Sequence, residues 1–283
     1  MFGLLKKRSH TPQNTSTLSA DQWGFWNTNG YLQLTGAVSP QELAEIQAQV
    51  DGQWAHKENN DHLVDVLSGE FAGKEFRMSA VPASVRQDAY KLNNLFGRST
   101  AVRKVALNPT IKAALTDLLA GEPLICNTLN FERGSQQPFH LDTWYMPPPV
   151  EGKMVAAIIA LDDIGPDNGP FTYYPGSHAI APYYFSHGRL NIINAETEKC
   201  IQYINRGIEE RGLHPTTLSC KAGDVFFWHA NLFHGGAPIN DMSLTRRSMV
   251  VHYWRQCDMR AEQVSTDGDL AYLNHTLRGE ISF

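Results

Sequence analysis

The feature that most constrains this chain is a set of metal-binding residue types that stand far apart in the sequence. His140 and Asp142 are separated by one residue, and His234 follows 94 residues after His140. On a β-strand, side chains two residues apart point to the same face, so His140 and Asp142 can bind one ion together. Two histidines and one carboxylate on one face of an octahedral ion leave three neighbouring positions open, as in non-haem Fe(II) oxygenases. The fold must therefore bring distant segments to one centre.

The hydrophobic pattern predicts that this centre lies on β-structure. An apolar run at 153–161 is typical of a strand buried on both faces, and further strands are predicted at 137–142, 170–174 and 246–254. The segment 222–234 is predicted to be a turn that leads into an apolar strand. Helices are predicted at 20–28, 40–53 and 108–121, with Ser19 and Ser39 as N-caps and Gly121 closing the third helix. We expect a mainly β barrel with flanking α-helices.

A basic residue after the second histidine could hold an acidic cosubstrate. A 2-oxo acid that chelates iron by its near end needs a cation for its far carboxylate, and planar guanidinium groups bind carboxylates in a bidentate manner. Arg246 is the candidate, and Ser248, two residues further on, shares its strand face. Arg247 points to the opposite face, so only one of the two arginines can serve.

The order of these motifs resembles the phytanoyl-CoA dioxygenase family of Fe(II)- and 2-oxoglutarate-dependent oxygenases. The resemblance covers roughly residues 18 to 256 and includes the segments 18–34, His140-Leu-Asp142-Thr-Trp-Tyr145, 167–178, Ala222-Gly-Asp224, His234-Gly and Arg246. It implies a double-stranded β-helix, a jelly-roll barrel of cupin type. It also implies that His140, Asp142 and His234 bind Fe(II), that Arg246 pairs with the distal carboxylate of 2-oxoglutarate, and that O2 is the oxidant.

Four further residues are weaker site candidates. Thr128 and Asn130 alternate on the strand before the His-x-Asp motif and could bind the near end of 2-oxoglutarate; equally, they could be ordinary inward polar residues. The family's His-x-Asp-x-x-Tyr pattern places Tyr145 beside the iron, and Trp144 precedes it. Both are predicted to line the catalytic or substrate pocket, although strand alternation turns about half of such aromatic residues to the outer core.

Asp142 separates two chemistries within this architecture. In the related halogenases a small residue replaces the carboxylate, so its presence here predicts hydroxylation or a related oxidation. A cupin-like isomerase or hydrolase and a non-catalytic small-molecule-binding barrel remain alternatives. The substrate class is a small metabolite or natural-product intermediate. The continuation Thr143-Trp-Tyr-Met-Pro-Pro-Pro lacks the acidic, tryptophan-rich signature of ectoine hydroxylases.

Length and composition favour one catalytic domain. A chain of 283 residues with 42% hydrophobic content can bury a sizeable core, so we expect a single domain over 18–283 after a disordered tail at 1–17. An insertion at 179–215, with a helix predicted over 195–211, is either a lid over the iron or a plain surface excursion.

Charge and cysteine usage narrow the partners and the compartment. The net charge of −5 without a long Lys/Arg run argues against nucleic acid. No apolar run suits a signal core or a membrane span, and the four cysteines lack paired spacing. We expect a cytoplasmic enzyme without a membrane partner. The oligomeric state is not readable from the chain.

Overall fold

The computed structural model describes residues 16–274. Most of the predicted tail, residues 1–15, lies outside that range. Ser16 and Thr17, which were predicted to belong to the disordered tail, are instead held by a carboxylate. The Thr17 backbone N–H donates to Asp117 Oδ2 at 2.7 Å, and the Ser16 hydroxyl donates to the same oxygen at 3.0 Å.

Helices and strands alternate irregularly along the described part of the chain. The helices are α1 (Ala20–Asn29), α2 (Pro40–Ala55), α3 (Thr100–Ala106), α4 (Pro109–Leu119) and α5 (Thr197–Arg211). The strands are β1 (Tyr31–Leu34), β2 (Leu63–Val66), β3 (Glu75–Arg77), β4 (Tyr90–Asn93), β5 (Pro123–Phe131), β6 (Met154–Ala160), β7 (Phe171–Tyr173), β8 (Thr216–Thr217), β9 (Val225–His229), β10 (His234–Gly236), β11 (Ser248–Arg255), β12 (Val264–Asp267) and β13 (Leu270–Leu273).

The strands form two sheets. The ten-stranded sheet has the order β1-β9-β6-β11-β5-β4-β2-β3, and β13 joins it beside β5 and carries β12. The three-stranded sheet has the order β10-β7-β8. The prediction of a mainly β fold with flanking helices is confirmed.

The two faces of the large sheet have different partners. Val250 on β11 lies opposite Leu129 on β5 and Ile158 on β6, and these inner residues pack against Phe171 of the small sheet. The alternate residues of the same strands face a second core that contains α2, α3 and α4. Strand β6 is therefore buried on both faces, as its apolar run predicts.

Local signals set the helix ends. Ser19 and Ser39 form capping boxes at the starts of α1 and α2, and Gly30 ends α1 at φ 74°. The predicted closure of the third helix at Gly121 is wrong, because Ala120 takes the left-handed conformation at φ 54°. Gly121 packs closely against Arg255, because a Cβ there would lie 2.9 Å from Arg255 Cδ.

Two predicted strands are wrong in extent. The strand predicted within 222–234 is two strands in different sheets, because the chain leaves β9 after His229 and enters the small sheet at His234. The last predicted strand begins at Ser248, so Arg246 precedes it. Within residues 16–274, no helix is long and apolar enough to span a bilayer.

Candidate active site

Three side chains from two separate segments meet between the two sheets. The donor atoms of His140, Asp142 and His234 all lie within 4.8 Å of one another. His234 Nε2 is 3.6 Å from Asp142 Oδ1, and His140 Nε2 is 3.9 Å from the same oxygen. We call these residues the triad. Their donor set suits a divalent first-row ion and leaves other coordination positions free.

The triad is assembled by a short bridge and a turn, which differs from the predicted strand at 137–142. His140 and His234 form one antiparallel bridge, in which His140 N–H donates to His234 O at 2.7 Å and His234 N–H donates to His140 O at 3.1 Å. The chain then turns, because Asp142 O accepts hydrogen bonds from the N–H groups of Tyr145 and Met146. Leu141, between the two ligands, is extended at φ −113° and ψ 138°, so His140 and Asp142 point to the same side before the turn begins.

A glycine allows the bridge to form. A Cβ on Gly235 would lie 2.9 Å from Gln137 O and 3.1 Å from Phe139 N. Only a residue without a side chain permits the segment before His140 to approach β10 so closely. Gly235 is therefore one reason why His140 and His234 lie side by side.

Backbone carbonyls fix the orientation of both triad histidines. The Nδ1 of His140 is 2.8 Å from Pro138 O, and the Nδ1 of His234 is 2.8 Å from Leu232 O. A carbonyl only accepts, so each Nδ1 carries the proton and each Nε2 presents its lone pair to the centre. Burial lowers the pKa of His140 and lowers that of His234 to about 4. Both rings are neutral at pH 7, as metal binding requires.

Asp142 is an ionised carboxylate held on both oxygens. Trp228 Nε1–H donates to Oδ2 at 2.8 Å. Burial opposes ionisation, but His234 and His252 outweigh it and hold the pKa of Asp142 well below its usual range. Oδ1 is the oxygen that faces the histidines. The carboxylate is thus oriented before any ion arrives.

A narrow cleft runs from the triad to a buried cation. Its wall is formed by Leu129, Phe131, Ser135, Gln137, Ile158, Phe171, Trp228, Gly235, Gly236, Arg246, Val250 and His252. Arg246 is 3% exposed, and burial lowers its pKa to about 10. Its Nε and the Ser248 hydroxyl are buried without a hydrogen-bond partner among the described residues. A buried cation without a carboxylate beside it is a site for an anion.

The two adjacent arginines have different partners, as their opposite strand faces predict. Arg247 binds Asp162 through Nε at 2.9 Å and Nη2 at 2.6 Å, and its side chain is partly exposed. Arg247 is therefore already neutralised. Arg246 alone is available to a ligand in the cleft.

The structure does not bring Thr128 and Asn130 to this cleft. Asn130 lies opposite Met249, which faces the helices, whereas its neighbour Leu129 faces the barrel interior. Thr128 has the same parity, and its hydroxyl accepts a hydrogen bond from Phe96 N–H at 3.4 Å. The physical reason is the alternation of the strand: β5 turns its odd-numbered residues to the cleft at this point.

The two aromatic candidates lie in different surroundings. The Tyr145 ring centroid is 5.6 Å from that of His140, and the side chain is 54% exposed, so it stands at the outer edge of the site. Burial, with a contribution from Asp142, raises the pKa of Tyr145. Trp144 is buried in a cluster with Phe233 and Ile204, so the structure places it in the packing of the insertion and outside the cleft.

The insertion at 179–215 packs directly behind the triad. Its helix α5 buries Cys200, Ile204 and Ile208 in one apolar cluster with Trp144, Phe185 and Phe233. Phe139 and Leu141 pack against the same cluster. Phe139 and Leu141, which alternate in sequence with the ligands His140 and Asp142, therefore hold the insertion in place by their packing. We call this contact the ligand buttress.

Sequence reasoning missed two polar residues at the centre. His252 Nε2 is 3.4 Å from Asp142 Oδ1, and His252 Nδ1 is 3.2 Å from Asn127 Oδ1. His252 shares its parity with Ser248 on β11 and with Arg246 just before that strand, so the same alternation that selected Arg246 could have selected it. Asn127 shares the cleft-facing parity of Leu129 and Phe131 on β5 and lies opposite His252 in the same register, so alternation could have selected it too.

Comparisons with known proteins agree on the family and the fold. The model of the phytanoyl-CoA dioxygenase (PhyH) family matches residues 26–248. In structure, the chain is similar to the non-haem α-ketoglutarate-dependent carbocyclase SnoK from nogalamycin biosynthesis, with a TM-score of 0.65, 18% identity, and coverage of 90% of this chain and 96% of that chain.

Two further solved structures contain the cosubstrate. EctD from S. alaskensis with 2-oxoglutarate and 5-hydroxyectoine gives a TM-score of 0.58 at 16% identity, covering 87% of this chain and 79% of that chain. HygX from Streptomyces hygroscopicus with nickel and 2-oxoglutarate gives 0.56 at 16% identity, covering 84% and 88%. The fold is a double-stranded β-helix, as expected. The family match covers well over half of the sequence, and the chain therefore belongs to the phytanoyl-CoA dioxygenase family of Fe(II)- and 2-oxoglutarate-dependent oxygenases.

Proposed function

We propose that this enzyme hydroxylates an unactivated C–H bond of a small-molecule metabolite or natural-product intermediate and converts 2-oxoglutarate into succinate and CO2. The observation that carries the proposal is the pairing, in one cleft, of an oriented His/Asp/His donor set with the uncompensated cation Arg246. A dicarboxylic keto acid needs both ends of this cleft, whereas a Lewis-acid isomerase or hydrolase has no use for Arg246.

Each residue then has one role. His140, Asp142 and His234 hold Fe(II), which supplies the oxidative chemistry together with 2-oxoglutarate and O2. Arg246 binds the distal carboxylate of 2-oxoglutarate, and the Ser248 hydroxyl, on the same face of β11, donates to it. Apolar residues such as Phe171 and Val250 exclude water from the space between. Exclusion of water strengthens the contact of Arg246 with its anion.

We place the substrate in a cavity of about 420 Å³ outside the barrel mouth. Its walls come from Pro147–Pro149, which leave the triad turn, and from residues 184–191 of the insertion. Trp254, one inward-facing position beyond His252 on β11, also contacts it. Asn191 lines this cavity and has a buried Oδ1 without a partner among the described residues, so a substrate hydroxyl or amine donor would satisfy it. Tyr145 stands at the edge of the triad, with its ring 5.6 Å from that of His140.

The compartment is part of the same proposal. Among the described residues, Cys126, Cys200, Cys220 and Cys257 form no disulfide bonds. Cysteines without disulfide bonds suit a reducing cytoplasm, where small metabolites and 2-oxoglutarate are available.

The test is an anaerobic titration of metal-free protein with Fe(II) and then 2-oxoglutarate, observed by visible absorption. We expect the charge-transfer band of the iron chelate in the unmutated protein and its absence in His140→Ala. Substrate candidates are then screened for substrate-dependent succinate. Iron that binds without producing the band would refute the proposed cosubstrate site.

A further inference from the structure

The proposed substrate cavity has exposed apolar side chains at its rim. Tyr184, on its wall, is 53% exposed, and Val150, between the wall residues Pro149 and Glu151, is 40% exposed. Met259 adds further apolar surface to the same wall. Single exposed apolar residues are common on proteins, but apolar surface that is gathered at a cavity marks a place where another segment or molecule binds.

The described part of the chain ends beside this cavity. Gln263 lines the cavity, and the Asn274 backbone N–H donates to Gln263 O at 2.8 Å. Strand β13, which ends one residue earlier, is held by its pairing with β12 and β5. Residues 275–283 therefore continue from a fixed point at the cavity wall. These nine residues can span about 30 Å when extended, which is more than enough to cross the cavity.

The sequence of residues 275–283 has the pattern of a segment that covers an apolar surface. We call these residues the closing segment. From position 277 onward, apolar residues or glycine alternate strictly with polar residues, in the order Leu277, Arg278, Gly279, Glu280, Ile281, Ser282 and Phe283. In an extended chain this alternation places three large apolar side chains on one face and the polar ones on the other.

We propose that the closing segment lies across the proposed substrate cavity of its own chain, with its apolar face on the cavity wall and its polar face in solvent. The identity of the cavity as the substrate site rests on the proposed function. Attachment at Asn274 favours this occupant, because it keeps the segment at a high effective concentration beside the cavity. The segment completes the wall over a bound substrate and excludes water, and it moves aside for the substrate to enter.

The reaction of a thiol on the cavity wall with dithiobis(nitrobenzoate) tests this directly. The protein carries Tyr184→Cys, and Cys257→Ser removes the exposed native thiol. We expect deletion of residues 275–283 to raise the labelling rate about tenfold, because the burial of apolar side chains only modestly exceeds the cost of ordering the segment. The control is Tyr203→Cys, 36% exposed on α5 and outside the cavity wall, whose thiol should react equally fast with and without the segment.

Two neighbouring residues of the closing segment give a matched test in the full-length chain. Ile281→Asp places a carboxylate on the apolar face and should raise the labelling rate of the thiol in Tyr184→Cys as much as the deletion does. Ser282→Asp adds the same charge to the polar face and should leave that rate unchanged. The assay needs neither iron nor 2-oxoglutarate, so its result does not depend on the proposed chemistry.

Each other outcome has a definite meaning. Equal labelling of the thiol in Tyr184→Cys with and without residues 275–283 would overturn the closing segment and leave the proposed function intact. Protection that is lost on dilution of the protein would assign the cover to a second copy of the chain. Equal effects of Ile281→Asp and Ser282→Asp would overturn the assignment of the apolar face. Protection in a protein that gives no charge-transfer band with Fe(II) and 2-oxoglutarate would support the segment and refute the function.

Discussion

Replacing Arg246 should make the metal-free protein more stable and the enzyme inactive. The guanidinium is buried without a carboxylate beside it among the described residues, and burial lowers its pKa to about 10 from the ordinary 12.5. Each pKa unit corresponds to roughly 1.4 kcal/mol, so retaining the charge costs the folded state about 3 kcal/mol. Arg246→Met removes that cost while keeping much of the side-chain volume.

The same change should remove the contact for the distal carboxylate of 2-oxoglutarate. Loss of a buried, charge-assisted contact weakens binding by about 100-fold or more. Denaturant unfolding of metal-free protein, followed by circular dichroism, measures the stability. Anaerobic titration of the Fe(II)-loaded protein with 2-oxoglutarate measures the affinity.

Arg247→Met is the matched control. Arg247 is already paired with Asp162, so its removal should lower the free energy of unfolding and leave the affinity for 2-oxoglutarate unchanged. The two substitutions should therefore change stability in opposite directions, and only Arg246→Met should weaken the binding of 2-oxoglutarate. Equal effects on affinity, or a lower stability of Arg246→Met, would refute the assignment of Arg246 as a buried cation that binds the distal carboxylate of 2-oxoglutarate.

Three further outcomes are expected. Ile204→Ala in the ligand buttress should lower the free energy of unfolding by about 2–4 kcal/mol and also weaken Fe(II) binding. Ile111→Ala, in the other core, should lower only the stability, and equal iron affinities of the two variants would show that the buttress does not support the metal site. Gly235→Ala should weaken Fe(II) binding by pushing the His140 segment away, while Gly24→Ala, with open space around it, should not. Burial lowers the pKa of His229 to about 4, so the unfolded chain takes up a proton first as the pH falls, and this histidine should account for about 3 kcal/mol of the stability that metal-free protein loses between about pH 6.5 and 4. A His229→Gln variant with the same pH slope would be evidence against this.

Local rules predicted much of the fold, because the signals that they use are local. The capping boxes at Ser19 and Ser39 place the starts of α1 and α2 at the predicted residues. Strand alternation separated Arg246 from Arg247, and the structure gives these residues different partners. These predictions needed only the spacing along one segment.

The remaining features depend on which segments become neighbours. Alternation groups Thr128 with Asn130 but cannot say whether that face meets the cleft or the helices, and the structure turns it to the helices. The predicted strand at 137–142 is replaced by one bridge and a turn, whose geometry depends on the close approach of Gly235. Asn127 meets His252 because β5 pairs with β11, a pairing of distant segments that neither strand specifies by itself.

The ligand buttress has a consequence for how relatives of this enzyme can be recombined. Phe139, Leu141 and Phe233 touch the insertion on one side, and the residues next to them in sequence point to the metal on the other. A chimera that exchanges 179–215 for the corresponding segment of another family member therefore changes two things at once. It replaces the side chains that pack behind the metal ligands, and it replaces part of the wall of the proposed substrate cavity. Chimeras designed for new substrates should transfer these three apolar residues together with the insertion. The residues that pack behind the metal ligands and the insertion that they contact then come from the same relative.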